Sequence, residues 1–506
     1  MQRRICGRLM VIAGMLLGAP LSAQEARNVV DLTLDRMVDL ALGNSYRVRQ
    51  LNLGIGRTQQ RLRAERARLK SRVDLSVSAP EFESISETKW NSDLQKNEII
   101  HENTRRWEAQ LSVRQPVVLL GYPTNGYLSL NNRMYRYLQI EEDGDRDLRY
   151  YNRYFVRYTQ PLFQPNGLKN DLEEAELDLE DAELDFLDDV VGIVDDLSDD
   201  YFELFEDAYG RVINEGHVAN LVVAVAGAEE AARADSSQAN QLGQIRVELA
   251  NAREQLLQSE SQFRLQAASL RTRLNLSDGD SIALNPVLDV RPVPVDVGQA
   301  TRFALELNPR LRQLGITHRE NEINLDQTKG RNSFRVDLEF SYGREMQNPA
   351  FQDIWSEPTN TYSVDVNAYI PILDWGERRA RVQVSELGMR QTELRIEEAT
   401  ADIVSDVENE IRNVEEFQNR ALAMQENLTL AAGLSASSLE LFQEGSITAL
   451  DLLLSFRREL DTANNFLDAY LGWRRALLRL QELTYFDFEN GTTVLDRFDM
   501  TMPGTR

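Results

Sequence analysis

The segment Arg335-Val336-Asp337-Leu338-Glu339-Phe340-Ser341-Tyr342 alternates polar and apolar side chains. This period of two is typical of a β-strand with one apolar face. Its first four residues repeat Arg72-Val73-Asp74-Leu75, which lies 263 positions earlier, and Arg312-Gln313-Leu314 repeats Arg49-Gln50-Leu51 at the same offset. A repeat of this length far exceeds a solenoid unit. The chain is therefore predicted to contain two copies of one structural unit.

Further alternating runs follow in both copies. In the second copy, Tyr362, Val364 and Val366 alternate with polar residues. Each run is about nine residues long, which is the length that a tilted strand needs to cross a bilayer. A half-buried strand of a soluble sandwich has the same pattern, so alternation alone leaves both interpretations open. The predicted strands cover about residues 72–80, 107–140 and 150–163 in the first copy, and 335–343 and 361–373 in the second.

After its strands, each copy predicts a long helical hairpin, at about residues 167–275 and about 376–485. The first helix of each hairpin contains no proline before a polar turn, Asp235-Ser236-Ser237 or Gly445-Ser446. Such a helix has roughly 67 residues and a length of about 100 Å at 1.5 Å per residue. In the returning helix, Leu242, Leu249, Leu256, Phe263 and Leu270 recur every seven residues, which predicts coiled-coil packing.

The remaining segments bound the two copies, which are predicted to cover residues 24–275 and 297–488. Residues 1–23 begin with three arginines and a short apolar run, the pattern of an export signal peptide. Residues 276–296 contain three prolines and are predicted to be a linker. Residues 489–506 are predicted to be a weakly ordered tail.

Composition excludes several classes of function. The net charge of −25 argues against nucleic acid as a partner, because phosphate binding needs clustered cations. The three histidines, His101, His217 and His318, lack metal-ligand spacing, and no nucleotide-binding or hydrolase motif is present, so we expect neither an enzyme nor a cofactor. A chain like this can cross a membrane as a closed barrel, and one copy has too few strands to close it. Oligomerisation is therefore expected.

Two stretches resemble the TolC-like outer-membrane efflux family. Pro371-Ile372-Leu373-Asp374-Trp375-Gly376-Glu377-Arg378-Arg379 is similar to the family's step from strand to helix, PLFDGGRR. Phe442-Gln443-Glu444-Gly445-Ser446-Ile447-Thr448-Ala449-Leu450-Asp451-Leu452-Leu453 is similar to its hairpin tip. The resemblance covers essentially the whole chain after residue 23. It implies an α+β membrane protein, trimeric and with two structural repeats per protomer, in which a long α-helical coiled-coil barrel forms a periplasmic tunnel beneath a transmembrane β-barrel.

The resemblance also implies the number of strands in that barrel. Each protomer of the family contributes four strands to a shared 12-stranded barrel. The extra strands predicted within residues 107–140 depart from this pattern. They would either widen the barrel or fold back outside it.

The implied function is the outer-membrane channel of a tripartite efflux or type I secretion system. It would conduct substrates passively from an inner-membrane transporter and a periplasmic adaptor to the outside of a Gram-negative-type bacterium. The implied partners are two further copies of the chain, the adaptor, the transporter and outer-membrane lipid. The alternative is a periplasmic coiled-coil adaptor or scaffold without a pore, although adaptors usually present one helical hairpin and this chain predicts two.

The resemblance further implies a periplasmic gate. Asp451 matches a family aspartate that forms a ring in the pore, and Leu454 occupies the second ring position. Phe442 replaces a tyrosine and Ile447 an arginine that makes gating links, while Asn240 stands where the first hairpin usually offers an aspartate. Three carboxylates around one axis would attract cations. Alternatively, Asp451 only complements the dipole at the start of its helix.

Two other sets of residues have candidate roles. The hairpin tips of the family touch the adaptor, which makes Gly445, Ser446, Asp235 and Ser236 docking candidates. Residues 171–200 hold fifteen acidic and no basic residues, either as a solvated helix face or as an acidic upper tunnel wall. The tryptophans that could form an interfacial aromatic girdle are Trp90, Trp107 and Trp355.

Overall fold

The structure is a computed structural model that describes residues 29–44, 46–91, 95–120, 122–140, 146–234, 238–276, 281–284 and 286–497. Its described residues fall into two compact units. The hairpin-end unit is bounded by Met1–Asn44, Asp200–Leu288 and Ala431–Asn464, and the sheet unit by Ser45–Asp199, Asp289–Leu430 and Asn465–Arg506.

The elements of the first half are β1 (Val29–Asp31), α1 (Leu34–Asn44), α2 (Tyr46–Arg68), β2 (Arg72–Asn91), β3 (Lys96–Leu119), β4 (Tyr122–Ile140), β5 (Arg146–Leu162), α3 (Gly167–Ala234) and α4 (Ala239–Arg273). Those of the second half are β6 (Ser281–Ala283), α5 (Val297–Leu307), α6 (Pro309–Gly330), β7 (Arg335–Asn348), β8 (Thr359–Tyr369), α7 (Glu377–Gln443), α8 (Ala449–Thr484), β9 (Phe486–Asp487), β10 (Thr492–Thr493) and α9 (Val494–Arg497). A short 3-10 helix, Phe351–Asp353, lies between β7 and β8.

The sheet unit contains one antiparallel sheet with the strand order β2-β3-β4-β5-β7-β8, in which β2 and β8 are the edges. All the predicted strands are present, but several are longer than predicted. The strand expected to end near residue 80 continues to Asn91, because pairing resumes at Glu81 after an irregularity that contains Pro80. The run predicted over 107–140 is two strands, β3 and β4.

The register gives the sheet two chemically different faces. Successive residues of a strand point to opposite faces, whereas directly paired residues share one. One row of paired residues across all six strands is apolar: Val73, Val113, Leu130, Val156, Tyr342 and Tyr362. The adjacent row is polar: Arg72, Arg114, Ser129, Arg157, Ser341 and Ser363. We call these sides the apolar face and the polar face.

The helices agree with the predicted lengths. α3 has 68 residues and α7 has 67, against a prediction of roughly 67 for each. Two helices, α1 and α2, precede the first long strand, and α1 ends at Gly43-Asn44, which are residues typical of helix termini. No described helix is both long enough and apolar enough to cross a membrane.

The hairpin-end unit has an apolar core between its helices. Leu221 and Ala224 of α3, Ile245 and Leu249 of α4, and Leu452 and Phe456 of α8 are all buried there. The heptad residue Leu249 thus lies in the core, together with Ile245 of the same helix. The segment predicted to be a linker contains β6, which pairs in parallel with β1.

The C-terminal segment differs from the prediction of a weakly ordered tail. Within residues 489–497, β10 pairs with β9 and α9 follows at once. The buried carboxylate of Asp487 accepts hydrogen bonds from the backbone N–H groups of Glu489 and Asn490, and pairs with Arg497 at 2.5 Å. These contacts satisfy a buried charge and order the segment. They were not predictable from its composition.

Candidate functional site

The turn of the second hairpin is a glycine-dependent helix end. Gly445 has φ +77°, a left-handed conformation that costs least at glycine. The backbone N–H of Gly445 donates to the carbonyl of Phe442 at 3.0 Å, and that of Ser446 donates to the carbonyl of Leu441 at 2.8 Å. This pair of bonds is the Schellman motif, which satisfies the last carbonyls of α7. The docking candidates Gly445 and Ser446 are both exposed.

The helix that follows begins with a reciprocal cap. The carboxylate of Asp451 accepts from the backbone N–H of Thr448 at 3.1 Å and from its hydroxyl at 2.7 Å. In return, the Thr448 hydroxyl accepts from the backbone N–H of Asp451 at 3.2 Å. The hydrogen bonds from Thr448 lower the pKa of the Asp451 carboxyl, so it stays ionised. The side chain is exposed and acts as a helix cap.

The other predicted gate residues divide between core and surface. Phe442 is 8% exposed, and Ile447 packs against the same core, so both side chains contribute to the packing of the hairpin end. Leu454 is 47% exposed, one turn after Asp451 on α8. Asn240 lies exposed on α4. Asp235 and Ser236 lie outside the described residues.

A link between the two hairpins of this unit was missed in the sequence. The side-chain oxygen of Gln241 on α4 accepts from the backbone N–H of Ala449 at 3.1 Å, at the start of α8. The side-chain amide of Asn220 on α3 donates to Glu459 on α8 at 3.3 Å. A glutamine and an asparagine carry no pattern that marks them as tertiary partners, so only the folded chain shows these contacts.

The acidic segment of α3 is paired with arginines within the sheet unit. Arg66 and Arg68 of α2 contact Glu176 at 3.0 Å and Asp171 at 2.9 Å. On α6, Arg319 contacts Glu173 at 2.7 Å. Further pairs of the same kind are Arg47 with Asp189 and Arg312 with Glu180. The acidic segment therefore faces basic side chains of α2 and α6, which occupy equivalent positions in the two copies of the repeat. It is only partly a solvated face.

Not every carboxyl of α3 has such a partner close enough to offset burial. Burial raises the pKa of Asp195, and Asp199 and Asp196 raise it further. Burial also raises the pKa of Glu482 on α8, and the negative charge of Asp195 raises it further. In the hairpin-end unit, burial, Glu206 and Glu203 raise the pKa of Asp207 to about 6. These groups take up protons more readily than ordinary carboxyls.

The polar face of the sheet is lined by ion pairs between neighbouring strands. Arg133 of β4 contacts Glu108 of β3 at 2.5 Å, and Arg157 of β5 contacts Glu339 of β7 at 3.0 Å. The apolar face has no such pairs in the row that begins at Val73, and its Tyr362 and Val73 are 78% and 63% exposed. A sheet with these two faces can separate water from lipid.

Aromatic side chains lie around the apolar face. Trp107 on β3 is 47% exposed and Trp355, between β7 and β8, is 51% exposed. The rings of Trp355 and Tyr154 are 6.0 Å apart. Trp90 lies in β2. Amphipathic rings of this kind suit a membrane interface.

Residues 302–484 match the family described as outer membrane efflux protein. This range lies within the second predicted copy. No curated protein matches the chain at a significant level.

Solved structures with the same fold include proteins described as outer-membrane proteins and outer-membrane channels. CusC, whose structures relate to folding and transmembrane channel formation, is 15% identical, with 90% of this chain and 93% of that chain covered and a TM-score of 0.63. VceC of Vibrio cholerae is 12% identical, with coverages of 89% and 95% and a TM-score of 0.62. The CmeC outer membrane channel of Campylobacter jejuni is 12% identical, with coverages of 96% and 95% and a TM-score of 0.57. At these identities the likeness concerns the fold.

Proposed function

We propose that this chain, whose residues 302–484 match the family described as outer membrane efflux protein, is the outer-membrane channel of a tripartite efflux or type I secretion system. The family and the outer-membrane location are those that the sequence predicted. The channel conducts its substrates passively, without catalysis. It receives them from an inner-membrane transporter and a periplasmic adaptor and releases them outside the cell.

The observation that supports this proposal most directly is the chemical difference between the two faces of the six-stranded sheet. Val73, Leu130 and Tyr342 expose apolar surface on one face, and Arg133 pairs with Glu108 on the other. In a closed barrel the apolar face contacts lipid and the polar face lines water. Among the described residues of a single chain, the edges β2 and β8 are unpaired, so closure requires further copies, and we propose a homotrimer.

A soluble adaptor or scaffold fits the same observation less well. Its sheet would leave Phe340, Tyr362 and Val364, which are 50%, 78% and 69% exposed, in water. Contiguous apolar surface of this kind usually marks a lipid or protein contact. Adaptors usually present one helical hairpin, so the second hairpin of this chain is not explained by the adaptor or scaffold alternative.

We assign adaptor docking to the turn of the second hairpin, Gly445 and Ser446, and to its counterpart at Asp235 and Ser236. The exposure of Gly445 and Ser446 supports this role. We assign the periplasmic constriction to Asp451, together with Leu454. The exposed carboxylate of Asp451 is kept ionised by its cap, so three copies around an axis would form an acidic ring.

Planar-bilayer recording of the purified oligomer tests the channel and the ring together. Asp451→Asn keeps an oxygen that can accept from Thr448 and removes the charge, so we expect discrete conductance steps with weaker cation selectivity. Asp461→Asn removes an exposed carboxylate farther along the same helix and is the matched control, with selectivity as in the original chain.

Each result decides a different part of the proposal. If Asp451→Asn and Asp461→Asn both conduct with the cation selectivity of the unchanged chain, the channel is retained and the Asp451 ring is excluded. A folded oligomer that never conducts, even when Thr448→Ala removes the cap and loosens the hairpin end, excludes the channel and favours the scaffold.

A further inference from the structure

The duplication within this chain shows which strands are additional. The offset of 263 positions equates Arg72 at the start of β2 with Arg335 at the start of β7. The proline steps after Gln160 and Ile370 equate β5 with β8. In the second copy β7 pairs directly with β8, whereas in the first copy β3 and β4 lie between β2 and β5. The hairpin β3–β4 is therefore an insertion into the first copy.

This inserted hairpin is continuous with the sheet on both sides. Arg72 to Ser78 of β2 pair with Arg114 to Glu108 of β3, and Tyr127 to Ile140 of β4 pair with Thr159 to Arg146 of β5. The two faces continue through it without interruption. Leu111 and Leu130 expose 43% and 51% of their surface on the apolar face, and Ser112 and Ser129 lie on the polar face.

The turn of the inserted hairpin is attached to the step from β5 to α3. The side-chain amide of Asn125 donates to the carbonyl of Pro165 at 2.6 Å, and that of Asn166 donates to the carbonyl of Pro123 at 2.5 Å. At Gly126, an added Cβ would lie 2.3 Å from the side-chain oxygen of Gln160, so the end of the Gln160 side chain packs directly over this glycine. These contacts hold β3 and β4 in the plane of the sheet.

The edges of the sheet are suited to pair with each other in a neighbouring copy. Consecutive strands run in opposite directions, so β2 and β8 at the two ends of six strands are antiparallel to one another. An even number of strands is what closure by an antiparallel contact requires. Most side chains of β8, and those of Arg72 to Ser78 in β2, are exposed on both faces.

We propose that the inserted hairpin is part of the barrel wall, and that three copies close an 18-stranded barrel in which β8 of one copy pairs with β2 of the next. This inference rests on the proposed trimeric outer-membrane channel. With a strand spacing of about 4.8 Å and a tilt of about 40°, eighteen strands give a diameter of about 35 Å between backbones. That is about one and a half times the diameter of a 12-stranded barrel.

The wider barrel has a consequence for substrates. Barrels of this strand number enclose an aqueous channel. The inserted strands add Arg106, Arg133 and Glu108 to the wall that faces this water, and both arginines form ion pairs with Glu108. The barrel therefore admits bulky polar solutes, and selection by size belongs to the narrower parts of the path.

Single-cysteine labelling in lipid vesicles tests the position of the hairpin. Cys6 is the only cysteine, so a Cys6→Ser background gives one label per chain. An environment-sensitive fluorophore is quenched either by nitroxide lipid or by iodide in water. The variants compare adjacent residues on opposite faces: Leu111→Cys with Ser112→Cys on β3, Leu130→Cys with Ser129→Cys on β4, and Tyr342→Cys with Ser341→Cys on β7.

In an 18-stranded wall, the labels at Leu111 and Leu130 are quenched by lipid as strongly as the label at Tyr342. Those at Ser112 and Ser129 follow Ser341 and are quenched several-fold more by iodide. If the β7 pair alternates but the β3 and β4 pairs do not, the hairpin lies outside the wall and this inference fails. If the β7 pair does not alternate either, the proposed membrane channel itself fails.

Discussion

Among single residues, Asp207 shows how burial changes a titration. Burial, with Glu206 and Glu203, raises its pKa from 3.8 to about 6, so the folded chain binds the proton more tightly than the unfolded chain. The resulting stability is fully present below pH 3.8 and is lost as the pH rises through about 6. We expect Asp207→Asn to stabilise the fold by roughly 1 kcal/mol at pH 7.5, because solvent at this partly exposed site screens part of the charge, and to change little at pH 4.

The free energy of unfolding in guanidinium chloride, measured at both pH values, checks this expectation. Asp461→Asn, at an exposed site on α8, is the control and should leave the difference between the two pH values unchanged. An equal effect of Asp207→Asn on the free energy of unfolding at pH 4 and pH 7.5 would contradict the raised pKa of the Asp207 carboxyl.

Among the elements, α7 offers two glycines with opposite expectations. Gly445 follows the helix at φ +77°, where a Cβ is strained, so Gly445→Ala should destabilise the hairpin end by about 1 kcal/mol. Gly433 lies inside α7, and a Cβ there would meet nothing within 4 Å. Gly433→Ala should therefore stabilise by about 0.5–1 kcal/mol, because alanine favours the helix.

Chemical unfolding of the two variants side by side measures this difference. Shifts of the same sign in both would show that the left-handed turn at Gly445 does not limit the stability of this unit.

At the scale of the whole molecule, the prediction concerns insertion into the membrane. Val364 on the edge strand β8 is 69% exposed on the apolar face, and Asp365 lies next to it on the polar face. An arginine in lipid costs about 2–4 kcal/mol near the bilayer midplane and much less in the water of the lumen. We therefore expect Val364→Arg to reduce the heat-resistant oligomer recovered from the outer membrane strongly, and Asp365→Arg to have little effect.

The two variants are compared by membrane fractionation followed by gel electrophoresis without boiling. Equal recovery of both would mean that the two faces of β8 meet similar surroundings, and the assignment of the apolar face to lipid would then be wrong.

Local patterns predicted much of this fold. The strands around Val336 and Val364 and the helices α3 and α7 follow from a period of two and from the absence of proline, which depend on neighbouring residues alone. Of the residues predicted to form the gate, Asp451 is exposed, and its place in a ring stays a prediction. Phe442 and Ile447 pack in or against the core of the hairpin-end unit, which the sequence did not show, because a heptad pattern does not reveal which apolar residues point inward.

By itself, then, the sequence determined the duplication, the element types, the long hairpins and the resemblance to the outer-membrane efflux family, since each depends on a short-range pattern or motif. Only the tertiary structure decided that β3 and β4 enter the sheet, that Arg66 and Arg319 meet the acidic segment of α3, and that Asp487 orders the C-terminal residues. The physical reason is the same in each case. Strand pairing, ion pairs and buried hydrogen bonds join residues far apart in the chain, and the choice among partners depends on the energy of the whole fold.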